Sequence, residues 1–223
     1  MESIHPEKMK ALEDMAERMG ISKLILMENA GLQLAEIIKK RYASIPSKKI
    51  TIICGSGNNG GDGLVCARHL LEFSDDITIC LLNIDGKLKT DEIRTNWNRI
   101  NKIKNIKKIE FFQNSNFLDA CKYEINRCDI IIDALFGTGL HGNLKEQFAN
   151  VINQINKSGK SIVAVDVPSG LSPLDGSISG DVVKAELTVT FHKSKDGLLD
   201  KDEITGEIVI VDIGIPPELE NNL

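Results

Sequence analysis

The sequence predicts an α/β fold in which a mainly parallel sheet is covered by helices on both faces. Seven short segments are apolar along their whole length instead of alternating with polar residues, which is typical of strands buried on both faces. Helical segments separate them, and this order indicates parallel strands joined by helical crossovers. A chain of 223 residues has room for one such domain and is short for two, so we expect a single domain over residues 1–223.

Two helices are predicted before the first strand. The first covers residues 6–20 and ends at Gly20, a residue type that suits a helix C-terminus. Its apolar residues share one face: Met9, Leu12, Met15, Ala16 and Met19. The second covers residues 24–43, with Ser22 as its N-cap. We interpret the methionine-rich faces of both helices as core or subunit interface.

From residue 49 onward the chain alternates between strands and helices. Strands are predicted at residues 50–54, 77–82, 108–112, 130–133, 162–166, 187–191 and 208–211. Helices are predicted at residues 63–73, 91–100, 117–125 and 144–156. Residues 172–180 form the most loop-like segment after the sheet begins.

The first strand leads into a loop of glycines and asparagines, and then into an amphipathic helix that opens near Asp62. Gly55, Gly57 and Gly60 satisfy the pattern G-x-G-x-x-G between a strand and a helix, as dinucleotide-binding sites require. Glycines let the backbone approach a ligand closely. The free N–H groups at a helix N-terminus favour an anion such as a diphosphate.

Three loops should meet at one edge of the sheet, because the carboxyl ends of parallel strands share an edge and ligands bind there. They cover residues 55–63, 133–143 and 166–170. Asp133 and Asp166 end their strands and should bring two carboxylates to this edge. Single aspartates at strand ends are often turn residues, but two of them beside glycine-rich loops favour a ligand site.

Several of these residues have both a structural and a functional interpretation. Asp62 is either a helix N-cap or a ribose contact. Asn58 and Asn59 suit left-handed turns, but their side-chain carbonyls are also ligands for a hard cation. Asp133 and the Ser169 region offer further oxygens. Lys195 follows a strand end, where it is either a phosphate contact or a surface lysine.

The composition disfavours several classes of protein. A net charge of −5 gives no overall reason to expect a nucleic-acid partner, and no apolar run reaches the roughly 20 residues of a membrane span. The N-terminus has no apolar signal core, and the five cysteines form no C-x-x-C pair, so we expect a reducing, cytoplasmic compartment and no zinc site. Walker A and G-x-S-x-G motifs are absent from the sequence.

The three loops and the segments around them resemble the NAD(P)H-hydrate epimerase family, the YjeF N-terminal domain. The motifs that carry the resemblance keep the family's order across nearly the whole chain: LMENAG (26–31), GSGNNGGDGLVCARHL (55–70), DALFGTGL (133–140), DVPSGL (166–171), LTVTFHKSKDGLL (187–199) and VDIGIP (211–216). Their combination is far more specific than any one motif.

The resemblance implies a fold, an activity and partners. Members of the family look like three-layer αβα Rossmann-like sandwiches, and they are commonly homodimers with one bound potassium ion, K(+). The implied activity is that of an isomerase that interconverts the R and S epimers of NADH hydrate and NADPH hydrate at nicotinamide C6. This chain lacks the S-specific dehydratase domain fused to many members, so a separate NAD(P)H-hydrate dehydratase is expected to complete the repair.

The resemblance also implies roles for residues at matching motif positions. Substrate contacts are implied for Asn58, Asn59, Gly60, Gly61, Asp62, Gly137, Thr138, Gly139, Leu140, His141, Gly142, Asn143 and Asp166. Potassium ligands are implied at Asn59, Asp133 and Ser169. The chain departs from the common pattern at Ser56 and Asp196, where proline is frequent, and residues 141–143 are an individual version of a variable loop.

The chemistry of a hydrated nicotinamide suits a carboxyl group that alternates between acid and base. The ring nitrogen can help expel water or open the ring, and inversion needs one proton delivered to the departing oxygen and one removed as oxygen returns. Our hypothesis gives this catalytic role to Asp166, with Lys195 as a weaker candidate for assisting it. The potassium ion would mainly organise the loops.

Two alternatives from other classes stay open. The first is an ordinary NAD(P)-dependent oxidoreductase, although the acidic ribose partner of such enzymes is not clearly placed after the second strand. The second is a non-catalytic domain of the same fold, of the kind found in an RNA-decapping scaffold protein. The presence of Asp166 and of the NNGGD segment argues against the second alternative.

Overall fold

The chain is built around a parallel sheet. A computed structural model describes residues 2–45, 48–113, 116–138, 145–178 and 180–222. In chain order the strands are β1 (Ser3–Ile4), β2 (Lys49–Gly55), β3 (Asp76–Leu82), β4 (Ile106–Glu110), β5 (Ile130–Ala134), β6 (Ser161–Val165), β7 (Leu187–Phe191), β8 (Ser194–Lys195) and β9 (Glu207–Val211). The helices are α1 (Pro6–Arg18), α2 (Lys23–Arg41), α3 (Asn58–His69), α4 (Asp91–Asn101), α5 (Phe117–Arg127), α6 (Glu146–Lys157) and α7 (Asp202–Thr205).

Seven strands form one sheet in the order β4-β3-β2-β5-β6-β7-β9, and every neighbouring pair is parallel. The predicted parallel sheet is confirmed. Strand β4 lies two residues earlier than expected, because Phe111–Gln113 form a turn of 3-10 helix. The strand order reverses between β2 and β5, where Ile53 pairs with Asp133. Parallel α/β sheets bind ligands at such a reversal, so the carboxyl ends of β2 and β5 mark the expected site.

Helices cover both faces of this sheet. Helices α1 to α4 pack with Ile52 and Ile132 in one core, whereas α5 and α6 pack with Ile53 and Ile131 in a second core. Successive residues of a strand point to opposite faces, so a strand that is apolar at every position supplies both cores. The result is the three-layer αβα sandwich that the sequence predicts.

The glycine-rich segment becomes helical earlier than expected. Helix α3 begins at Asn58 with Gly57 as its N-cap, so Asp62 lies in the second turn and is not the N-cap. A Cβ on Gly60 would lie 2.1 Å from the carbonyl oxygen of Gly55, a distance that no side chain tolerates. Gly60 is therefore needed because the first turn of α3 packs directly against the end of β2.

The two N-terminal helices contribute to the core, as one of our interpretations proposed. Helix α1 buries Met9, Leu12 and Ala16. Helix α2 is capped by Ser22, whose hydroxyl accepts a hydrogen bond from the Ile25 N–H. A Cβ on Gly31 would lie 2.4 Å from the Cβ of Val65, so this glycine lets α2 pack closely against α3.

A second, two-stranded parallel sheet joins the N-terminus to the segment after β7. Ser3 pairs with Ser194 and Ile4 pairs with Lys195. The Ser3 hydroxyl also donates a hydrogen bond to Asp196 Oδ1 (2.6 Å). This pairing fixes the backbone at Lys195, and two-residue strands carry no periodicity from which the sequence could predict it.

The five cysteines are all buried and free. Burial raises the pKa of the Cys54 and Cys66 thiols, so these groups stay protonated and behave as small apolar residues. Within the described part of the chain, we find no helix with the length and apolar character needed to cross a membrane.

Candidate active site

Asp166 turns the backbone immediately after β6, at the carboxyl edge of the sheet. Its φ angle of 64° lies in the left-handed region, which is unfavourable for a residue with a Cβ. Its N–H donates to the Val189 carbonyl oxygen (2.8 Å), which holds the turn against β7. Its carboxylate Oδ1 accepts a hydrogen bond from Thr190 Oγ1 (3.0 Å). Backbone strain of this kind is concentrated at functional sites.

Lys195 lies buried beside Asp166, with only 1% of its surface exposed. Its ammonium group donates to Asp166 Oδ1 (2.5 Å), Thr190 Oγ1 (3.0 Å) and the Phe191 carbonyl oxygen (2.9 Å). With a longer contact to the Lys193 carbonyl oxygen (3.3 Å), these bonds engage all three ammonium protons. Because Lys195 is buried, the surface-lysine interpretation is wrong. Every hydrogen bond that the described residues donate to the Asp166 carboxylate reaches Oδ1, which leaves Oδ2 for a ligand.

The three predicted loops open into one cavity of about 490 Å³, a volume typical of small-molecule sites. Its walls come from the start of α3, the loop after β5, the turn after β6, and α1. The lining includes Ser56, Gly57, Asn58, Asn59, Asp62, Leu135, Phe136, Gly137, Thr138, Asp166 and Glu13. A smaller recess of about 70 Å³ shares several of these residues and is also lined by Lys195.

Asp133 and Ser169 form a fully buried polar pair between two of these loops. The Ser169 N–H donates to Asp133 Oδ2 (2.8 Å), and the Ser169 hydroxyl donates to Oδ1 (2.7 Å). Burial raises the pKa of Asp133 to about 6, although the hydrogen bonds from Ser169 oppose the rise. The pair connects the loop after β6 to the loop after β5, and so it fixes two walls of the cavity relative to each other.

Asn59 is buried in the first turn of α3, close to the loop after β5. A Cβ on Gly137 would lie 3.0 Å from Asn59 Oδ1, so this glycine allows a close approach. Asn59 Nδ2 has no hydrogen-bond partner among the described residues. An unpaired buried amide is costly, which makes it a candidate contact for a ligand.

Comparison with known families identifies the chain. A sequence model of the family described as YjeF-related protein N-terminus matches residues 23–197. The chain belongs to this family. The NAD(P)H-hydrate epimerase of Nitrosopumilus maritimus is 38% identical over 217 residues, which cover 97% of each chain. The bifunctional NAD(P)H-hydrate repair enzyme Nnr of Archaeoglobus fulgidus is 43% identical, and the match covers 99% of this chain and 43% of that protein.

A solved structure supports the fold of this YjeF-related chain. The crystal structure of yeast ynu0 superimposes with a TM-score of 0.82 at 23% sequence identity, covering 100% of this chain and 93% of the yeast chain. At that identity the likeness concerns the fold alone. It agrees with the αβα sandwich described above.

The implied substrate contacts of the YjeF-related family divide into three groups in this structure. Those that line the cavity are Asn58, Asn59, Asp62, Gly137, Thr138 and Asp166. Gly60 and Gly61 are not part of the cavity lining and allow close packing: the Gly61 N–H donates to the Gly57 carbonyl oxygen (3.1 Å), and a Cβ on Gly61 would lie 2.5 Å from Met27. The N–H of Gly61 is thus engaged within α3, whereas Gly60 keeps a free N–H as an early helical residue. The substrate contacts implied at both glycines stay predictions. Five further residues lie outside the described part of the chain: Gly139, Leu140, His141, Gly142 and Asn143.

One end of the cavity is acidic. Burial raises the pKa of Glu13 to about 7, and the charge of Asp166 adds to the rise. Burial and the charges of Asp166 and Glu13 also raise the pKa of Asp62 well above its ordinary value. Glu13 is not among the site residues predicted from the sequence. The helical spacing does indicate that Glu13 is on the buried side of α1, because it lies four residues after Met9 and three before Ala16.

Outside the recess, the charged residues that line the cavity are two lysines and Asp85. Lys89 and Lys145 contribute to its lining there, and Lys145 pairs with Asp85 (3.1 Å). Nearby, Asn58 Oδ1 accepts a hydrogen bond from Thr90 Oγ1 (2.6 Å), which joins the start of α3 to the start of α4. One cavity thus offers carboxyl groups in the recess and an excess of one positive charge outside it.

Proposed function

We infer that this protein is an NAD(P)H-hydrate epimerase, an isomerase of nicotinamide-nucleotide repair that interconverts the R and S forms of NADH hydrate or NADPH hydrate at C6. The observation that carries this inference is the 38% identity to the Nitrosopumilus epimerase across 97% of both chains. The cavity supports it, because a strained carboxylate, a helix N-terminus and two lysines line the same space.

The polar ends of the cavity suggest how the nucleotide is bound. Its diphosphate meets the free N–H groups in the first turn of α3, with the helix dipole behind them. Lys89 and Lys145 add positive charge on that side. The hydrated nicotinamide then lies towards the recess, where Asp62 and Asp166 line the wall.

In this arrangement Asp166 exchanges a proton with the oxygen on C6. Lys195 and Thr190 hold Oδ1, so Oδ2 faces the reaction as the proton-exchanging atom. Lys195 is a positioning residue, because its protons are already committed within the protein. The ring nitrogen supplies the electron pair that expels the oxygen as water, and no hydride is transferred.

The oxidoreductase alternative gains no support from the end of β3. Asn83 follows this strand, where dinucleotide-dependent dehydrogenases use an acidic residue for the ribose. Its side-chain amide donates to Glu110 Oε1 (2.6 Å), so Asn83 is already engaged in a structural contact.

A potassium ion fits the residues around Asp133. This carboxylate is fully buried, and no lysine, arginine or histidine of the described chain pairs with it. The described residues contain no group of three His, Cys, Asp or Glu side chains placed to hold a metal, so an ion here depends on amide, hydroxyl and carbonyl oxygens. Asn59 can supply such an oxygen, because rotating its side-chain amide by about 180° places Oδ1 where the unpaired Nδ2 now lies. Asp133, Ser169 and Asn59 would hold the ion, which would offset buried charge and organise the loops.

We further propose a cytoplasmic homodimer that works with a separate NAD(P)H-hydrate dehydratase. Five buried, free cysteines suit a reducing compartment. Most apolar residues of α1 and α2 are used in the core, which leaves the exposed Met19 and Ile25 as candidates for the dimer contact. The dehydratase is needed because epimerisation alone does not remove the added water.

A coupled assay tests the function. Pure R hydrate of NADH is mixed with an S-specific dehydratase, ATP or ADP, and this protein, and recovery of NADH is followed by absorbance. We expect recovery faster than the uncatalysed background. An unchanged rate would refute the activity and favour a non-catalytic domain of the same fold. Formation of NADH from NAD and a panel of alcohols would instead support the oxidoreductase alternative.

A further inference from the structure

Glu13 is the one carboxyl group that α1 contributes to the cavity. It lines both the 490 Å³ cavity and the 70 Å³ recess, and Asp166 lines both as well. Among the described residues, nothing forms a hydrogen bond or an ion pair with the Glu13 carboxylate. Lys23 is the lysine of the neighbouring helix that lines the recess, and it is committed to Asp14 (2.6 Å). Glu13 therefore faces the cavity with its hydrogen-bonding capacity unused.

We propose that Glu13 is a second proton-exchanging residue of this site, acting on the hydrated nicotinamide from α1 while Asp166 acts from the edge of the sheet. The proposal rests on the epimerase activity inferred above. It refines the hypothesis that a single carboxyl group serves both halves of the reaction. Inversion breaks a C–O bond on one face of the ring and forms one on the other face, so two groups on different walls suit it better than one.

The groups around Glu13 favour proton exchange. Burial raises the pKa of Glu13, the charges of Asp166 and Asp14 add to the rise, and Lys195 and Lys23 act in the opposite direction. The balance leaves a group that titrates at about 7, where an acid–base residue is most effective at neutral pH. Asp14 is itself paired with Lys23.

The proposed step balances without an external oxidant or reductant. In the R-to-S direction, the protonated Glu13 carboxyl gives its proton to the C6 oxygen. The C6–O bond then breaks, water leaves, and the lone pair of the ring nitrogen forms a C=N bond to C6. Water adds to the opposite face, the C=N pair returns to nitrogen, and Asp166 takes the released proton. Solvent returns a proton from Asp166 to Glu13, and the S-to-R direction uses the two groups in reverse.

The test compares full-length wild type with Glu13→Gln, which keeps the shape and removes the titration. The coupled assay is run across the pH range, and kcat and KM are measured separately. We expect kcat at neutral pH to fall on the order of 100-fold with KM nearly unchanged. In wild type, kcat should change with pH near neutrality as Glu13 titrates. We expect this pH dependence to be absent in Glu13→Gln. Glu13→Asp, which retains a carboxyl group, should recover part of the rate.

Glu17→Gln is the matched control, because Glu17 lies on the same helix with a side chain that is 49% exposed. It contacts Lys23 at 3.6 Å, and its loss leaves Lys23 paired with Asp14 at 2.6 Å. We expect this variant to behave as wild type. Wild-type kcat and pH profile in Glu13→Gln would overturn the proposal. Equal losses at every pH in Glu13→Gln and Glu13→Asp would also overturn it, since they would indicate a structural role. If wild type itself does not accelerate recovery, the epimerase function fails and the proposal fails with it.

Discussion

The Lys195 ammonium group lies 2.5 Å from Oδ1 of Asp166, and both residues are buried. Removing two charges from water is unfavourable unless further hydrogen bonds satisfy them. Lys195 has these bonds at Thr190 Oγ1 and the Phe191 carbonyl oxygen. The pair therefore holds one carboxylate oxygen firmly and leaves the other for chemistry.

Removal of the lysine charge should destabilise the fold. We expect Lys195→Met to lower the free energy of unfolding by about 3–5 kcal/mol, because it leaves a buried carboxylate without its cation. Urea denaturation measures the loss. Lys193→Met is the control, since the pairs of Lys193 with Glu2 and Glu220 lie near the surface and should contribute about 1 kcal/mol or less. Adding Asp166→Asn to Lys195→Met should restore part of the stability, and equal losses at Lys193 and Lys195 would contradict the buried pair.

Asp166→Asn should separate chemistry from binding. We expect the epimerisation rate to fall by about 10²–10⁴-fold, because asparagine cannot exchange the proton, while calorimetry shows substrate affinity within a few fold of wild type. Asp119→Asn is the control, because Asp119 is an exposed residue of α5, away from the cavity. A wild-type rate in Asp166→Asn with binding intact would refute the assignment.

The apolar strands and their order could be predicted from the sequence, because burial on both faces leaves a local pattern. The start of α3 could not. Asn-Asn-Gly-Gly has low helix propensity, and it is helical here because Gly60 packs against the carbonyl group of Gly55. A contact of that kind is set by the tertiary structure and leaves no periodic signal.

The acid–base site likewise contains one residue that could be predicted from the sequence and others that could not. Asp166 could be predicted, since it combines a strand end with a glycine-containing loop. The buried position of Lys195 could not, because it depends on the pairing of Ile4 with Lys195 across nearly the whole chain. Glu13 comes to the cavity through the packing of α1, and a helical pattern predicts a buried face without saying what that face contacts.

Two glycines in one motif should respond differently to alanine. Gly60→Ala should cost about 3 kcal/mol, because its Cβ would overlap a backbone carbonyl that cannot move without shifting β2. Gly57→Ala should cost about 1 kcal/mol or less, since a Cβ there meets no atom of the described chain within 4 Å and alanine is only a poorer N-cap. Urea unfolding of both variants measures the contrast. Similar losses would show that the close approach of α3 to β2 is not what requires Gly60.

Potassium should stabilise the fold through Asp133. We expect a higher melting temperature in potassium chloride than in choline chloride at equal ionic strength, by the few degrees that correspond to about 2–3 kcal/mol at saturation. Asp133→Asn should remove the difference, because the buried negative charge is lost while the shape is kept. Asp119→Asn should retain it. Equal melting temperatures of wild type in the two salts would refute the ion site.

Glu13 should make the stability of the protein depend on pH. Its pKa is about 7 in the folded protein and 4.5 when unperturbed, so the folded state binds the proton more tightly than the unfolded state. The stability is therefore fully present below the unperturbed pKa and is lost as the pH rises through about 7. Glutamine does not titrate, so Glu13→Gln should become more stable relative to wild type by about 2 kcal/mol between about pH 5 and about pH 8.5.

Urea denaturation at several pH values measures that difference, with Glu17→Gln as the control. The control should stay close to wild type, because the Glu17 side chain is 49% exposed and its contact with Lys23 is a surface ion pair. A constant difference for Glu13→Gln would mean that the carboxyl group ionises in the folded protein as it does in water. In that case Glu13 would have no proton to deliver at neutral pH, and its proposed role in the inversion at C6 would be refuted.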